Sequence, residues 1–248
     1  MSGRTPDEHV RPAASLQRWE RIAFVHWRYP PRALQPFVPP GLELQQLDGA
    51  AWVGFTPFLL SGLRVPGMPP VPRWSTFAET NLRTYVTDGT HDGVLFLRVH
   101  CANPLVAAAF RLGLGLPYVD VAGKVTVQGS TTTYDAAGTH VVVESGLPLD
   151  PDPLTASLTG RWSAFSRHAG LVWRVPVEHQ PWPLRKAHLL HLETDMLERA
   201  GLPLPRGGAL VHYSPGVDAR IGPPRPAARA PASASRDRHP LPAEEPWK

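Results

Sequence analysis

Glycine and proline punctuate this chain so often that long helices have little room to form. Of its 248 residues, 30 are proline and 21 are glycine. Both are disfavoured inside helices: proline lacks a backbone donor and clashes with the preceding turn, and glycine loses the most backbone entropy on folding. Short strands joined by tight turns are the remaining way to bury an apolar share of 42%. That share, with 19% charged residues, excludes global disorder, and a single β-rich domain of this length is ordinary.

The turns mark the strands. Residues 42–47 and 50–59 flank Asp48-Gly49, a two-residue hairpin signal, because that turn needs positive φ at both positions. Residues 79–87 and 93–101 flank the polar loop DGTHD, residues 121–134 and 139–145 flank DAAG, and residues 171–177 form a further strand. Such connections suit antiparallel pairing. Helices are few. Asn103-Pro104 reads as an N-cap followed by the first helical position, with glycines stopping the run that follows. Residues 154–167 are expected to hold a second helix, and Thr194 to cap a short third that stops at Gly201. The expected fold class is α+β, mainly β: a curved antiparallel barrel with a few peripheral helices. Residues 1–15 read as a flexible N-terminal arm and 16–221 as one domain. Residues 222–248 read as a disordered tail, rich in proline and alanine and unable to offset its ordering entropy.

Charge and cysteine content narrow the function classes. The formal net charge is +4, yet only Lys124, Lys186 and Lys248 of the 25 basic residues are lysine, and the arginines are scattered singly. Nucleic-acid binding calls for a concentrated basic face, so none is expected. One cysteine, Cys101, makes neither an internal disulfide nor a thiolate zinc cage. The opening residues are polar, and no stretch reaches the ~20 apolar residues of a membrane span, so a cytoplasmic protein without membrane contact is expected.

Residues 79–86 form the most unusual strand. Period two puts Glu79, Asn81, Arg83 and Tyr85 on one face: an acid, an amide, a guanidinium and a phenol in a row. Either that face lines a polar pocket, or it is a solvated surface carrying an ordinary ion pair. The same alternation groups Tyr118, Asp120 and Lys124. Lys124 is either a desolvated nucleophile able to form an imine with a carbonyl or, more simply, the partner of Asp120. His188 and His191, with Glu193 near, have metal-ligand spacing if the segment is helical; otherwise they are an exposed pair, and no metal or cofactor is expected. His26, His179 and His212 each neighbour an aromatic residue and read as core histidines; Cys101 reads as a packed thiol. Ser214-Pro215-Gly216 reads as a turn.

The segments WERIAFVHWRYPPRALQPFVPPGLELQQLDGAAWVGFTPF, FAETNLRTYV, GVLFLRV, LGLPY, HQPWPL and VHYSPGVD occur in an order that resembles the YqjF-like bacterial family of unknown function, across roughly residues 19–220. That family is similar in fold to acetoacetate decarboxylase, whose superfamily has a curved antiparallel barrel around an internal pocket. The resemblance implies that Glu79 corresponds to the decarboxylase's acidic pocket residue, and it favours the inward reading of the Glu79 face, with Asn81, Arg83 and Tyr118 as lining. The decarboxylase's imine-forming lysine follows a Gly-aromatic-Pro turn. Here Gly115-Leu116-Pro117 is followed by Tyr118 and Val119, so that role does not carry over, and Lys124 does not occupy the motif position.

Two functions follow. One is a pocket for a small carboxylate- or carbonyl-bearing metabolite, with Arg83 gripping the anion, Glu79 as acid or base, and Asn81 and Tyr118 orienting the ligand. The chemistry would then be lyase- or isomerase-like and would proceed without an imine. The other is a non-catalytic binding or sensory module, in which Glu79 and Arg83 are a structural pair; a homo-oligomer suits either function.

Overall fold

The computed structural model describes residues 5–228. Strand β1 (Ser15–Tyr29) buries every side chain from Ile22 to Trp27. A sheet strand hides both faces only when a layer packs on each. Even-numbered Ile22, Phe24 and His26 point to one side; odd-numbered Ala23, Val25 and Trp27 point to the other. Strand β3 (Ala51–Arg64), antiparallel to β1, is buried on both faces over its first eight residues. Strand β4 (Phe77–Thr87) follows antiparallel to β3, and β5 (Asp92–Cys101) pairs back on β4 from Glu79↔Cys101 to Thr87↔Asp92, the hairpin expected around DGTHD.

One layer comes from a closed path of strands. Strand β10 (Ser163–His168) pairs with β5, β11 (Leu171–His179) with β10, and β13 (Leu210–Ile221) with both β11 and β1. The path β11–β10–β5–β4–β3–β1–β13 therefore returns to β11. The β5–β10 contact is parallel, a departure from the all-antiparallel expectation. It is permitted by Gly93, where a Cβ would meet the Ser163 carbonyl oxygen at 2.4 Å and the Phe165 ring at 2.7 Å.

The other layer continues the sheet past β13 through β12 (Arg185–Thr194), β9 (Thr139–Pro148), β8 (Thr131–Ala136) and β7 (Gly123–Gln128). This arm folds over the outer side of β1, β3 and β4. Val25, Trp27, Phe55 and Leu82 meet Tyr134, Val141, Val143 and Met196 there in one apolar core.

After the short helix α1 (Pro31–Leu34), local signals place the helices at two points. In α2 (Pro104–Leu114), Asn103 Oδ1 accepts from the Leu105 and Val106 amides, both at 3.1 Å, and Gly115 closes the helix at φ 63°. The Thr194 hydroxyl accepts from the amide of Met196 at the start of the short helix Met196–Arg199.

Several expectations are corrected. The Asp48-Gly49 turn forms, with φ of 52° and 71°, but only the Leu47↔Ala50 bridge closes beneath it. Strand β2 (Glu43–Leu44) pairs with β4 instead, because Leu42 packs with Val86, Leu95 and Phe165. The span 121–134 breaks at Gly129-Ser130 into β7 and β8. The helix expected over 154–167 covers only α3 (Pro153–Thr159). Beyond Gly160 the chain joins β5 as β10 and buries Phe165 completely, so packing overrides helix propensity. Ser214-Pro215-Gly216 lies inside β13 and is not a chain reversal.

Ahead of β1, Glu8 binds Arg174 and Arg225, His9 binds Glu178, and Val10 is buried. After β13, β14 (Arg225–Pro226) pairs with β11, and from residue 229 the proline- and alanine-rich tail lies outside the described residues. No described helix is long and apolar enough to cross a membrane.

Gly93→Ala is expected to lower stability by about 2–3 kcal/mol, since the new methyl has only backbone and a packed ring to displace. Gly113→Ala, in α2 with nothing within 4 Å of the added carbon, should be neutral or stabilising by up to about 1 kcal/mol. Thermal unfolding of the two variants checks the contrast; equal melting temperatures would mean that the β5–β10 seam is loose.

Candidate functional site

The ring of strands encloses a cavity of about 120 Å³, below the ~300–1,000 Å³ of drug-sized sites, so its occupant must be small. Glu79, Asn81 and Arg83 line it from one face of β4. Much of the rest is apolar and aromatic, including Phe58, Phe96, Leu116 and Trp182. A wider cleft of about 300 Å³ lies by Pro148, Pro151 and Pro183; Asp150 and Arg185, the ionisable groups lining it, are not buried.

Tyr118 reaches Glu79 by a local route. Gly115 ends α2, and the chain returns beside β5 as β6 (Tyr118–Asp120), pairing Tyr118 with Val99. Its hydroxyl then points at the Glu79 carboxyl, 3.4 and 3.5 Å from the two oxygens. Glu79 is only 6% exposed, and burial pushes its pKa up to about 8 against the hydrogen bonds from Tyr118 and Asn81. Burial, and then the neighbouring carboxyl, hold the Tyr118 phenol well above its usual range.

Arg83 occupies space left by a missing side chain. It pairs across to Gly54 on β3, where a Cβ would lie 2.8 Å from the Tyr85 hydroxyl and 3.3 Å from Arg83 Nε. The Arg83 guanidinium stands over the rings of Phe24 and Tyr85, and its Nε and Nη2 are buried with no hydrogen-bond partner among the described residues. Tyr85 is fully buried behind the cavity. Its hydroxyl donates to the Leu158 carbonyl at 3.0 Å and accepts from His26 Nε2 at 2.7 Å. Burial and the nearby Arg83 keep His26 neutral, and its unbonded Nδ1 fits that tautomer.

Arg161 is the lining residue that sequence reasoning missed. It lay inside an expected helix, and only the β5–β10 pairing brings it to the cavity. His179, which its aromatic neighbour marks as a core residue, also lines the cavity, packed against Trp162 and Trp182 with its Nδ1 hydrogen-bonded to the Gln180 carbonyl. Burial holds it at a pKa of about 4.

Other candidates lie elsewhere. β6 ends at Asp120 and β7 starts at Gly123, so the alternation joining Asp120 to Lys124 is broken. Both are exposed, and Lys124 pairs with Asp135 rather than with Asp120. No lysine lines the cavity. His188 and His191 sit on strand β12 and not on a helix, exposed, with His191 3.9 Å from Glu193. Among the described residues no three His, Cys, Asp or Glu side chains gather as a metal site. Cys101 is buried, and burial raises its thiol pKa to about 12.

Comparison with known proteins extends this picture. The chain is 28% identical to the uncharacterized protein YqjF of Bacillus subtilis (strain 168) over 219 residues, 84% of this chain and 90% of that one. Among solved structures it is similar to an acetoacetate decarboxylase-like enzyme from Sphingomonas wittichii RW1, with 14% identity and a TM-score of 0.59 over 88% of this chain and 94% of the other. It is also similar to the enduracididine biosynthesis enzyme MppR complexed with pyruvate, with 13% identity and a TM-score of 0.60 over 90% and 94%. At such identities the likeness is one of fold. Residues 16–218 match the DUF2071 family of uncharacterized conserved proteins, and the chain belongs to that family, built on an acetoacetate decarboxylase-like fold.

Proposed function

We propose that the cavity binds a small 2-oxo acid or a related carboxylate and that Glu79 exchanges a proton with it. The observation that carries this reading is the pairing, in one cavity wall, of an unpartnered guanidinium edge with a carboxyl that burial keeps protonated. Because Glu79 is neutral near pH 7, it does not compensate Arg83, and an incoming carboxylate does so through a two-pronged contact. The ligand's carbonyl then faces Tyr118 and Asn81, which orient it. Near pH 8 Glu79 is half ionised and can take a proton from the carbon beside the carbonyl and return it. The reading needs no imine, in keeping with the absence of lysine from the lining. The structural neighbour that holds pyruvate supports a small oxo acid as the ligand class. A cytoplasmic setting accords with the single buried thiol, Cys101.

Binding is tested with pyruvate by calorimetry on the whole chain. Arg83→Gln is expected to weaken it roughly 10- to 100-fold, the usual cost of hydrogen bonds to a charged group. Pyruvamide, which has no carboxylate, should bind weakly to both proteins. Unchanged pyruvate affinity in the variant would remove the anion grip. In deuterated buffer, wild-type protein should speed deuterium entry into the pyruvate methyl group and Glu79→Gln should not. Binding without exchange would favour the non-catalytic module.

Stability against pH tests Glu79 directly. The folded chain keeps its proton up to about pH 8, whereas the unfolded chain loses it near 4.5. The neutral carboxyl therefore contributes stability that is complete below about 4.5 and is lost as pH rises to about 8. His26, His100, His179 and His212, all lowered by burial, act in the opposite sense, adding stability as pH rises through their ordinary value of 6.5, and they do so equally in wild type and in Glu79→Gln. Between pH 6.5 and 8 the difference between the two proteins therefore belongs to Glu79. Across that interval wild type should lose about 2 kcal/mol relative to Glu79→Gln, at a limiting slope of about 1.4 kcal/mol per pH unit. Parallel curves would show an ordinary, solvated Glu79.

A further inference from the structure

Arg161 is a second buried cation in the same cavity, and its hydrogen bonding is incomplete. Its side chain is 3% exposed. At one end Nη1 donates to Gln45 Oε1 and lies 3.8 Å from Asp92 Oδ2. At the other, Nε and Nη2 are buried with no hydrogen-bond partner among the described residues. Arginine held only for structure normally spends its fork on carbonyls or carboxylates, because buried donors are costly to leave unmade. Here Arg83 and Arg161 both line the cavity, and in each the Nε and Nη2 donors are left unmade.

Tyr85 sets the spacing between the two. Its ring centre is 5.9 Å from the Arg83 guanidinium carbon and 4.8 Å from that of Arg161. The two carbons are therefore at most about 11 Å apart, and a guanidinium–carboxylate pair joined by two hydrogen bonds spans about 4 Å between carbons. Guanidiniums this near can each grip one carboxylate of a single ligand, and the cavity of about 120 Å³ restricts that ligand to a short chain, such as a dicarboxylic acid of about four carbons. A monocarboxylate on Arg83 would leave the Nε and Nη2 donors of Arg161 buried without a partner among the described residues.

We infer that Arg161 is a second anion clamp and that the cavity takes a short dicarboxylate, with one carboxylate on the open edge of Arg83 and the other on that of Arg161. The inference rests on the reading of Arg83 as an anion grip and names the substrate class of that same site. A ligand with charge at both ends spans the cavity and is fixed in orientation, so its central carbons lie in the same enclosure as Glu79.

Calorimetry with succinate, its monoamide succinamate, and pyruvate tests this on the whole chain. Wild type should bind succinate about 10- to 100-fold tighter than succinamate, the range for hydrogen bonds to a charged group. Arg161→Gln should bring that ratio close to one while leaving pyruvate affinity within about threefold. A ratio near one in wild type, or a ratio that survives in Arg161→Gln, overturns the second clamp. If Arg161→Gln also loses pyruvate, Arg161→Lys decides, since lysine keeps the charge but not the fork: a reduced ratio with pyruvate retained supports the clamp, and any other result overturns it. Pyruvate binding that depends on Arg83, without any preference for succinate, removes only the second clamp. Pyruvate affinity that ignores Arg83 removes the anion grip itself.

Discussion

The wall formed by β1, β3 and β4 is buried on both faces, and the rest of the structure depends on that double burial. One face meets the arm β12–β9–β8–β7 in a hydrocarbon core; the other looks into the ring closed by β11 and β13. Because side chains alternate across a strand, a one-residue slip would exchange the two sets. Leu82 would enter the polar cavity, and Asn81 and Arg83 would be driven into the apolar core. The cost of burying those groups among Val25, Phe55 and Val141 makes the register of β4 unambiguous. Site and core are thus held in place by the same pairing energy.

Removal from water then decides the chemistry of the cavity. Glu79 carries hydrogen bonds from Tyr118 and Asn81 that favour its ionised form, yet burial outweighs them and its pKa rises. The guanidiniums cannot respond in the same way, because arginine holds its proton through such shifts; even Arg161, lowered by burial, remains at about 10. Neutral acid and charged base therefore coexist in one enclosure. That asymmetry gives the cavity its positive character, and it arises from desolvation more than from any count of acidic and basic residues.

Much of the β-sheet was legible locally. The DGTHD hairpin, the capped helix α2 and the strand over 171–177, which the structure extends to His179, follow from turn chemistry, capping and alternation, which act between residues close in sequence. The errors share one cause. Over residues 42–47, 121–134 and the second half of 154–167 a distant partner decides the outcome: Val86 and Phe165 for Leu42, Thr131–Ala136 folding back on Gly123–Gln128, and Val94 and Leu95 for Ala164 and Phe165. The pairing of Lys124 with Asp135 rather than Asp120 has the same origin, a strand that ended sooner than its pattern suggested.

The sequence by itself determined the strand-rich class, the family, and the row of Glu79, Asn81, Arg83 and Tyr85 on a single strand face, because period-two geometry is a property of any extended chain. Only the tertiary structure decided that this face looks inward, that Tyr118 reaches the Glu79 carboxyl, and that Arg161 joins Arg83 beside the same tyrosine ring. Those outcomes depend on strands far apart in the chain coming together and expelling water between them, and neither propensity nor spacing encodes that event.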